Sequence, residues 1–256
     1  MEVNFPTMNL LDSLSDEDLE MLNDLLPWSC FTLDSNGRQF GKPYSKEKRG
    51  TAQPNVDYRI TELARRIDLF SKVVLEVGCY EGVHTAALAE RSQQVKAFDG
   101  RVEHVVKTIV RCAMLGLPVN AFVLDLEKKM PENIDLSCDI IHHVGVLYHL
   151  ENPVEHLHTL APFCTETIML DTHVASPNKT CQTLEYKDHK YKYWKQQDGG
   201  RALPFAGMGT HAKWLTEASL CDALMSCGFE DIDIAERRNE RNGSRVLIYA
   251  NKARKF

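Results

Sequence analysis

The chain has 256 residues, 43% of them hydrophobic and 26% charged, with a formal net charge of −6. That suits one large globular domain with a modest appendage, whose core needs neither disulfides nor a structural metal for stability. The acidic balance argues against a broad phosphate-neutralising surface, no apolar run approaches the roughly 20 residues of a membrane span, and the acidic N-terminus lacks a secretory signal's basic stretch, so the expectation is a cytoplasmic protein.

In chain order, Ser15 can cap a short helix whose first turn carries Asp16, Glu17 and Asp18, and Pro27 should end it. Two runs containing aromatics then flank Asp34-Ser35-Asn36-Gly37, a strong hairpin signal. A basic run follows at Lys42, Lys46, Lys48 and Arg49. Residues 1–55 therefore read as an N-terminal extension of helix plus hairpin, placed to cover a pocket, and residues 56–256 as the main domain.

From Tyr58 the pattern alternates. Helices are predicted near 58–70, 82–91, 102–115 and 153–161, and strands at 72–78, 94–99, 119–125, 138–144 and 167–174. Short apolar runs alternating with amphipathic helices indicate an α/β layer architecture on a parallel sheet. Residues 175–214, rich in Lys, Tyr, Gly, Pro and Trp, break that rhythm and read as a lid-like insertion. A helix near 216–227, capped by Thr216 and ended by Gly228, precedes strands 231–237 and 244–251. The polar turn between those two strands makes them antiparallel.

The segment 73–91, VVLEVGCYEGVHTAALAER, runs from a hydrophobic strand through Gly78 and Gly82 straight into a helix, which aims backbone N–H groups at a ligand. Asp99 ends the next strand about 20 residues later, where an acidic side chain can accept both hydroxyls of a ribose. Asp125 ends the strand after that, where a carboxylate can face an adenine amino group. Tyr80 stands where a dinucleotide fold wants its second glycine, which hinders close approach by a pyrophosphate. S-adenosylmethionine has no phosphate, and Glu76 supplies negative charge for its ammonium. Among the eight Cys and ten His no CxxC pair or H-E-x-x-H spacing appears, so no metal site is assigned and the thiols read as reduced.

At these residues the chain resembles the class I S-adenosylmethionine-dependent methyltransferases, over roughly residues 58–251. The resemblance implies a Rossmann-like, seven-stranded, mostly parallel sheet with its last strand antiparallel and helices on both faces. It assigns Glu76, Gly78 and Gly82 to the methionine half of the cofactor, Asp99 to the ribose, and Asp125 with Leu126 to the adenine. Tyr80 departs from the glycine usual at its position. Residues after the fourth strand should lie under the methyl group and face the acceptor, which brings in Val144 beside the cofactor and His143, Tyr148 and His149 as catalytic candidates. The run Gly145-Val146-Leu147-Tyr148-His149 is similar to that of the tRNA wobble-uridine carboxymethyltransferases and of methyltransferases acting on sugars and small metabolites.

Methyl transfer to oxygen needs a base, and His is the usual one near neutral pH. His149 and His143 are the first candidates, with Tyr148 as an orienting hydroxyl. His173, Tyr186, Tyr193 and Trp194 are substrate-binding candidates, the last three on an insertion whose aromatics interleave with lysines. The leading expectation is methylation of a small-molecule or glycan-like acceptor, more at oxygen than at nitrogen. A tRNA-modifying methyl or carboxymethyl transferase, and a non-catalytic binding protein on the same fold, are the alternatives.

Overall fold

The computed structural model describes residues 9–44, 50–54 and 56–253. Lys46, Lys48 and Arg49 of the basic run lie outside the described residues, whereas Lys42 pairs with Asp24. The chain divides into two units, Met1–Leu124 and Asp125–Phe256.

In the first unit, α1 (Asp16–Leu25) begins where Ser15 Oγ accepts the Asp18 N–H at 3.0 Å, a cap worth about 1 kcal/mol. Strands β1 (Phe31–Leu33) and β2 (Gln39–Gly41) form the expected antiparallel hairpin. Its turn closes on Asp34, whose Oδ1 accepts from Asn36 N and Arg38 N at 2.9 and 2.7 Å. Leu11, Leu19, Trp28 and Phe40 make a small core that Val110 and Met114 extend, so the N-terminal segment buries its apolar face on the helix carrying those two residues.

That helix is α4 (Val102–Met114). It follows α2 (Tyr58–Arg66), β3 (Val73–Val77), α3 (Val83–Ala89) and β4 (Gln94–Asp99), and precedes β5 (Asn120–Val123). Strand β4 lies between β3 and β5, parallel to both. Val74, Leu75, Val77, Val95, Ala97 and Phe98 are all buried, the near-continuous apolar run expected of parallel strands covered on both faces.

In the second unit β6 (Cys138–Val144) runs parallel to β7 (Cys164–His173), with α5 (Pro153–Leu160) between them in sequence. After an insertion come α6 (Glu217–Ser226), which Thr216 caps as expected, and two long final strands. These are separated by two residues and pair antiparallel to each other, and the last also pairs antiparallel to β7. The chain has the Rossmann-like, seven-stranded mixed α/β sheet with an antiparallel C-terminal end. Among the described residues no helix is long and apolar enough to cross a membrane.

The insertion contains structure that its composition hides. Residues 182–215 form a separate antiparallel sheet of β8 (Gln182–Tyr186), β9 (His189–Gln197) and β10 (His211–Leu215), with β9 in the middle. The final strands are accordingly β11 (Phe229–Glu240) and β12 (Gly243–Lys252). Along β9 the period is two. Tyr191 and Tyr193 are buried while Lys190 and Lys192 are exposed, so the aromatic–lysine alternation is the two faces of one strand.

Candidate active site

In the first unit, the turn between β3 and α3 is held in a conformation that only its surroundings make acceptable. Gly78, Tyr80 and Gly82 have φ of 77°, 50° and 78°. For the two glycines this costs little, and at Gly82 a side chain is also excluded, because a Cβ would stand 2.9 Å from Thr108 Cα on α4. For Tyr80 the left-handed backbone costs about 1–2 kcal/mol. The turn is tied down by Gly78 N and Cys79 N donating to Phe98 O at 2.8 and 3.0 Å, and by Gly82 N donating to Cys79 O at 2.8 Å. The Tyr80 ring meets His104 edge-on at 4.7 Å, and Thr108 Oγ1 donates to Tyr80 O at 3.3 Å. Tyr80 thus follows a glycine's backbone path despite its side chain.

Asp99, at the C-terminal end of β4, points toward this turn. Its Oδ2 accepts from Tyr80 N at 3.2 Å and lies 3.1 Å from His104 Nδ1, while Oδ1 accepts from Arg101 N at 2.9 Å. Its side chain is 13% exposed, and a carboxylate with about four acceptor positions keeps capacity for a ligand's hydroxyls. Glu76 lies on β3 just before the turn, fully buried, with Thr85 Oγ1 donating to its Oε2 at 2.5 Å. Burial pushes its carboxyl up to about 8; the Thr85 bond opposes this and the Asp99 charge adds to it.

Glu76 is therefore largely protonated at neutral pH, which has a measurable consequence. The folded state holds a proton between about pH 4.5 and 8 that the unfolded state releases. Its contribution to stability is full below pH 4.5 and is lost as the pH rises toward 8. The melting temperature of Glu76→Gln is expected to vary less across pH 5–8 than that of the wild type, as differential scanning calorimetry can check.

In the second unit, Asp125 Oδ1 accepts from Glu127 N at 3.1 Å and Oδ2 lies 3.3 Å from Lys128 Nζ; its side chain and Leu126 are half-buried. Leu126 borders a cleft of about 340 Å³ that Asn152, Glu155 and His156 also line. Val144 ends β6, half-buried. His143 is wholly buried, its Nε2 2.8 Å from His156 Nε2. Burial and the neighbouring His156 and His142 hold its imidazole well below the ordinary range, and burial takes His156 down to about 3, so both rings are neutral.

Tyr148, His149 and His173 come together. Tyr148 meets His149 at 4.2 Å and His173 edge-on at 4.7 Å. His173 in turn stacks on Trp214 at 4.8 Å, with 9° between the planes, and Trp194 meets Trp214 edge-on at 5.6 Å. Arg245 lies over the Tyr148 ring at 5.4 Å and pairs with buried Asp171, which also binds Arg238. Burial raises the Tyr148 hydroxyl above its usual value, with Arg245 opposing, so it stays protonated. Lys179 Nζ sits 4.0 Å over Trp194. Tyr193 packs elsewhere, its hydroxyl donating to Gln182 Oε1 at 2.8 Å, and Tyr186 meets His158 on α5 at 5.0 Å.

The residue that sequence reasoning missed is Asp198, at the end of β9. Its Oδ2 is 2.6 Å from His149 Nδ1, and its Oδ1 accepts from Gly199 N and Gly207 N at 2.6 and 3.1 Å. Burial alone would raise this carboxyl, but the His149 bond and charge, with the two backbone N–H groups, hold it below the ordinary value. Gly207 is required here: a Cβ would stand 2.6 Å from His149 O. An Asp on Nδ1 selects the imidazole tautomer with Nε2 bare, the arrangement of a general base.

A family model described as a methyltransferase domain matches residues 55–234. Among curated proteins, the tRNA U34 carboxymethyltransferase of Pseudomonas paraeruginosa is 28% identical over 140 residues, 54% of this chain and 40% of that protein. The matched part therefore spans well under half of that relative's length. Among solved structures, the N-terminal domain of EvdMO1, crystallised in the presence of SAH and D-fucose, aligns with a TM-score of 0.75 at 22% identity, covering 94% of this chain and 98% of that one. The magnesium protoporphyrin IX methyltransferase ChlM from Synechocystis PCC 6803, with bound SAH, aligns with a TM-score of 0.55 at 17% identity, covering 76% and 80%.

Proposed function

Because the chain belongs to the methyltransferase-domain family and is an S-adenosylmethionine-dependent methyltransferase, we propose that its acceptor is a small, sugar-like molecule methylated at a hydroxyl oxygen. The observation that carries this reading is the His149–Asp198 pair beside the protonated hydroxyl of Tyr148. Nitrogen acceptors of low basicity have no need of a base, whereas a hydroxyl must lose its proton as the bond to carbon forms. Within the aromatic group, half-buried Tyr148 and Trp194 leave apolar ring surface of the kind that packs on the C–H faces of a sugar, and buried His173 and Trp214 pack against them. The crystallisation of the EvdMO1 domain with D-fucose points the same way.

The first-unit turn fits the cofactor. Asp99 has acceptor capacity for the ribose hydroxyls, and Glu76 can give up its proton to face an ammonium. When bound there, S-adenosylmethionine supplies a methyl carbon made electrophilic by its sulfonium. The chain's residues do the rest: Asp99 orients the nucleoside, His149 Nε2 takes the acceptor's proton, and Asp198 holds the imidazole in place and stabilises the imidazolium that results.

A tRNA acceptor is the second reading, favoured by the carboxymethyltransferase similarity and by exposed Lys187, Lys190, Lys192 and Lys195. Incubation with methyl-labelled S-adenosylmethionine, a panel of deoxyhexose-bearing small molecules and bulk tRNA separates the two. The proposal expects label in an acid- and base-stable methyl ether of a small molecule, with the RNA unlabelled. Label confined to tRNA, lost as salt is raised, would overturn it in favour of the second reading.

A further inference from the structure

The N-terminal hairpin and the cofactor turn meet at one residue, Glu81, which stands between Tyr80 and Gly82 and has 0% exposure. In the structure its carboxylate accepts from Ser29 N at 2.8 Å through Oε1 and from Cys30 N at 3.1 Å through Oε2, and it also takes the Cys30 thiol at 3.1 Å. Lys107 Nζ, from α4, adds an ion pair at 2.8 Å and donates to Pro27 O at 2.7 Å.

The backbone of Glu81 is held as firmly as its side chain. Its carbonyl accepts from Arg111 Nε at 2.6 Å, and Arg111 Nη1 donates to the hairpin's Thr32 Oγ1 at 2.8 Å. The fully buried guanidinium lies over Phe40 and Trp28, at 4.6 and 5.1 Å from their ring centres. Segments 27–32 and 40 are thereby fastened, through two basic residues of α4, to the residue next to the strained one. Gly41 lets the hairpin approach so closely: a Cβ there would stand 2.3 Å from Cys30 O and 3.2 Å from Arg111 Nη2.

We propose that Glu81 is a positioning residue for the cofactor, through which the N-terminal hairpin sets the geometry of the Gly78–Gly82 turn. A tyrosine in the left-handed region persists only where its surroundings over-determine it. Asp99 restrains Tyr80 from the β4 side, and Glu81 restrains it from the hairpin side. Losing the second restraint lets the turn relax toward ordinary backbone angles, away from the conformation that receives the cofactor. A buried carboxylate with only backbone N–H groups, a thiol and one lysine around it is an expensive arrangement that a merely space-filling residue would not need. The hairpin acts here as a clasp on the seat rather than as a cover over it. The proposal rests on the reading of this turn as the S-adenosylmethionine site.

The test is calorimetric titration with S-adenosylhomocysteine of the wild type, Glu81→Gln and Thr32→Val, each at a temperature where its own melting curve shows it folded. Thr32→Val removes the acceptor of Arg111 Nη1 in the hairpin without touching the turn, and it decides the matter if Glu81→Gln does not fold. Affinity is expected to fall roughly tenfold in Glu81→Gln, the size of one lost charge-assisted hydrogen bond, and about threefold in Thr32→Val. Amide hydrogen exchange at residues 78–82 should quicken in both, while that of β11 and β12 stays at the wild-type rate. A purely structural role lowers the melting temperature but leaves the affinity of the folded protein alone. Wild-type affinity in the folded variants overturns the clasp, whereas a wild type that binds no S-adenosylhomocysteine overturns the cofactor reading beneath it.

Discussion

Replacing Asp99 with alanine is expected to weaken S-adenosylhomocysteine binding by about a hundredfold, read by calorimetry. A carboxylate that accepts from a ligand's hydroxyls makes charge-assisted bonds worth about 1.5–3 kcal/mol each, and every 1.4 kcal/mol is about tenfold in affinity. The same side chain accepts from Tyr80 N and Arg101 N, so the substitution also leaves the positive-φ turn short of a restraint. Asp99→Asn separates the two effects. It keeps one oxygen for the backbone groups but loses the charge, and should fall between wild type and alanine. Binding by Asp99→Ala within threefold of wild type would show that the ligand does not rest on this residue.

The second large effect is expected at the base. His149→Ala should lower kcat by roughly 10²–10⁴, the range of general-base contributions, while leaving S-adenosylhomocysteine affinity unchanged. Asp198→Asn should cost roughly 10²-fold with the same unchanged affinity. The amide oxygen can still take Gly199 N and Gly207 N, but its other end no longer holds His149 Nδ1–H or offsets the charge of the imidazolium. Steady-state kinetics with the acceptor found by the labelling experiment, paired with calorimetry on the same preparations, check both. Equal losses of kcat and of cofactor affinity would mean that His149 supports the fold rather than the chemistry.

Where one side chain meets the backbone a few residues away, sequence and structure agree closely. Ser15 caps its helix and Asp34 closes the hairpin turn because each depends on local chemistry, whereas Asp99 reaches the glycine turn 19 residues away because β3 and β4 run parallel and end side by side. What stayed hidden is what the chain brings together over distance. Asp198 lies 49 residues from His149 and Glu81 lies 52 from Ser29, and nothing local to either acidic residue indicates its partner. The alternation of Tyr191, Lys192 and Tyr193 was visible, but it reads equally as a recognition surface and as a half-buried strand. Only the pairing of β9 with β8 and β10 on its two edges decides for the strand. The backbone of Tyr80 is of the same kind: steric rules argue against a left-handed tyrosine, and the restraints that permit one come from β4 and α4.

The most direct test is a crystal structure of the protein grown with S-adenosylhomocysteine. The ribose is predicted to lie on the Asp99 carboxylate, against the Gly78–Gly82 turn, with the φ of Tyr80 still positive. A nucleoside bound away from Asp99, or a turn that must rebuild Tyr80 into an ordinary conformation to admit it, would contradict the account.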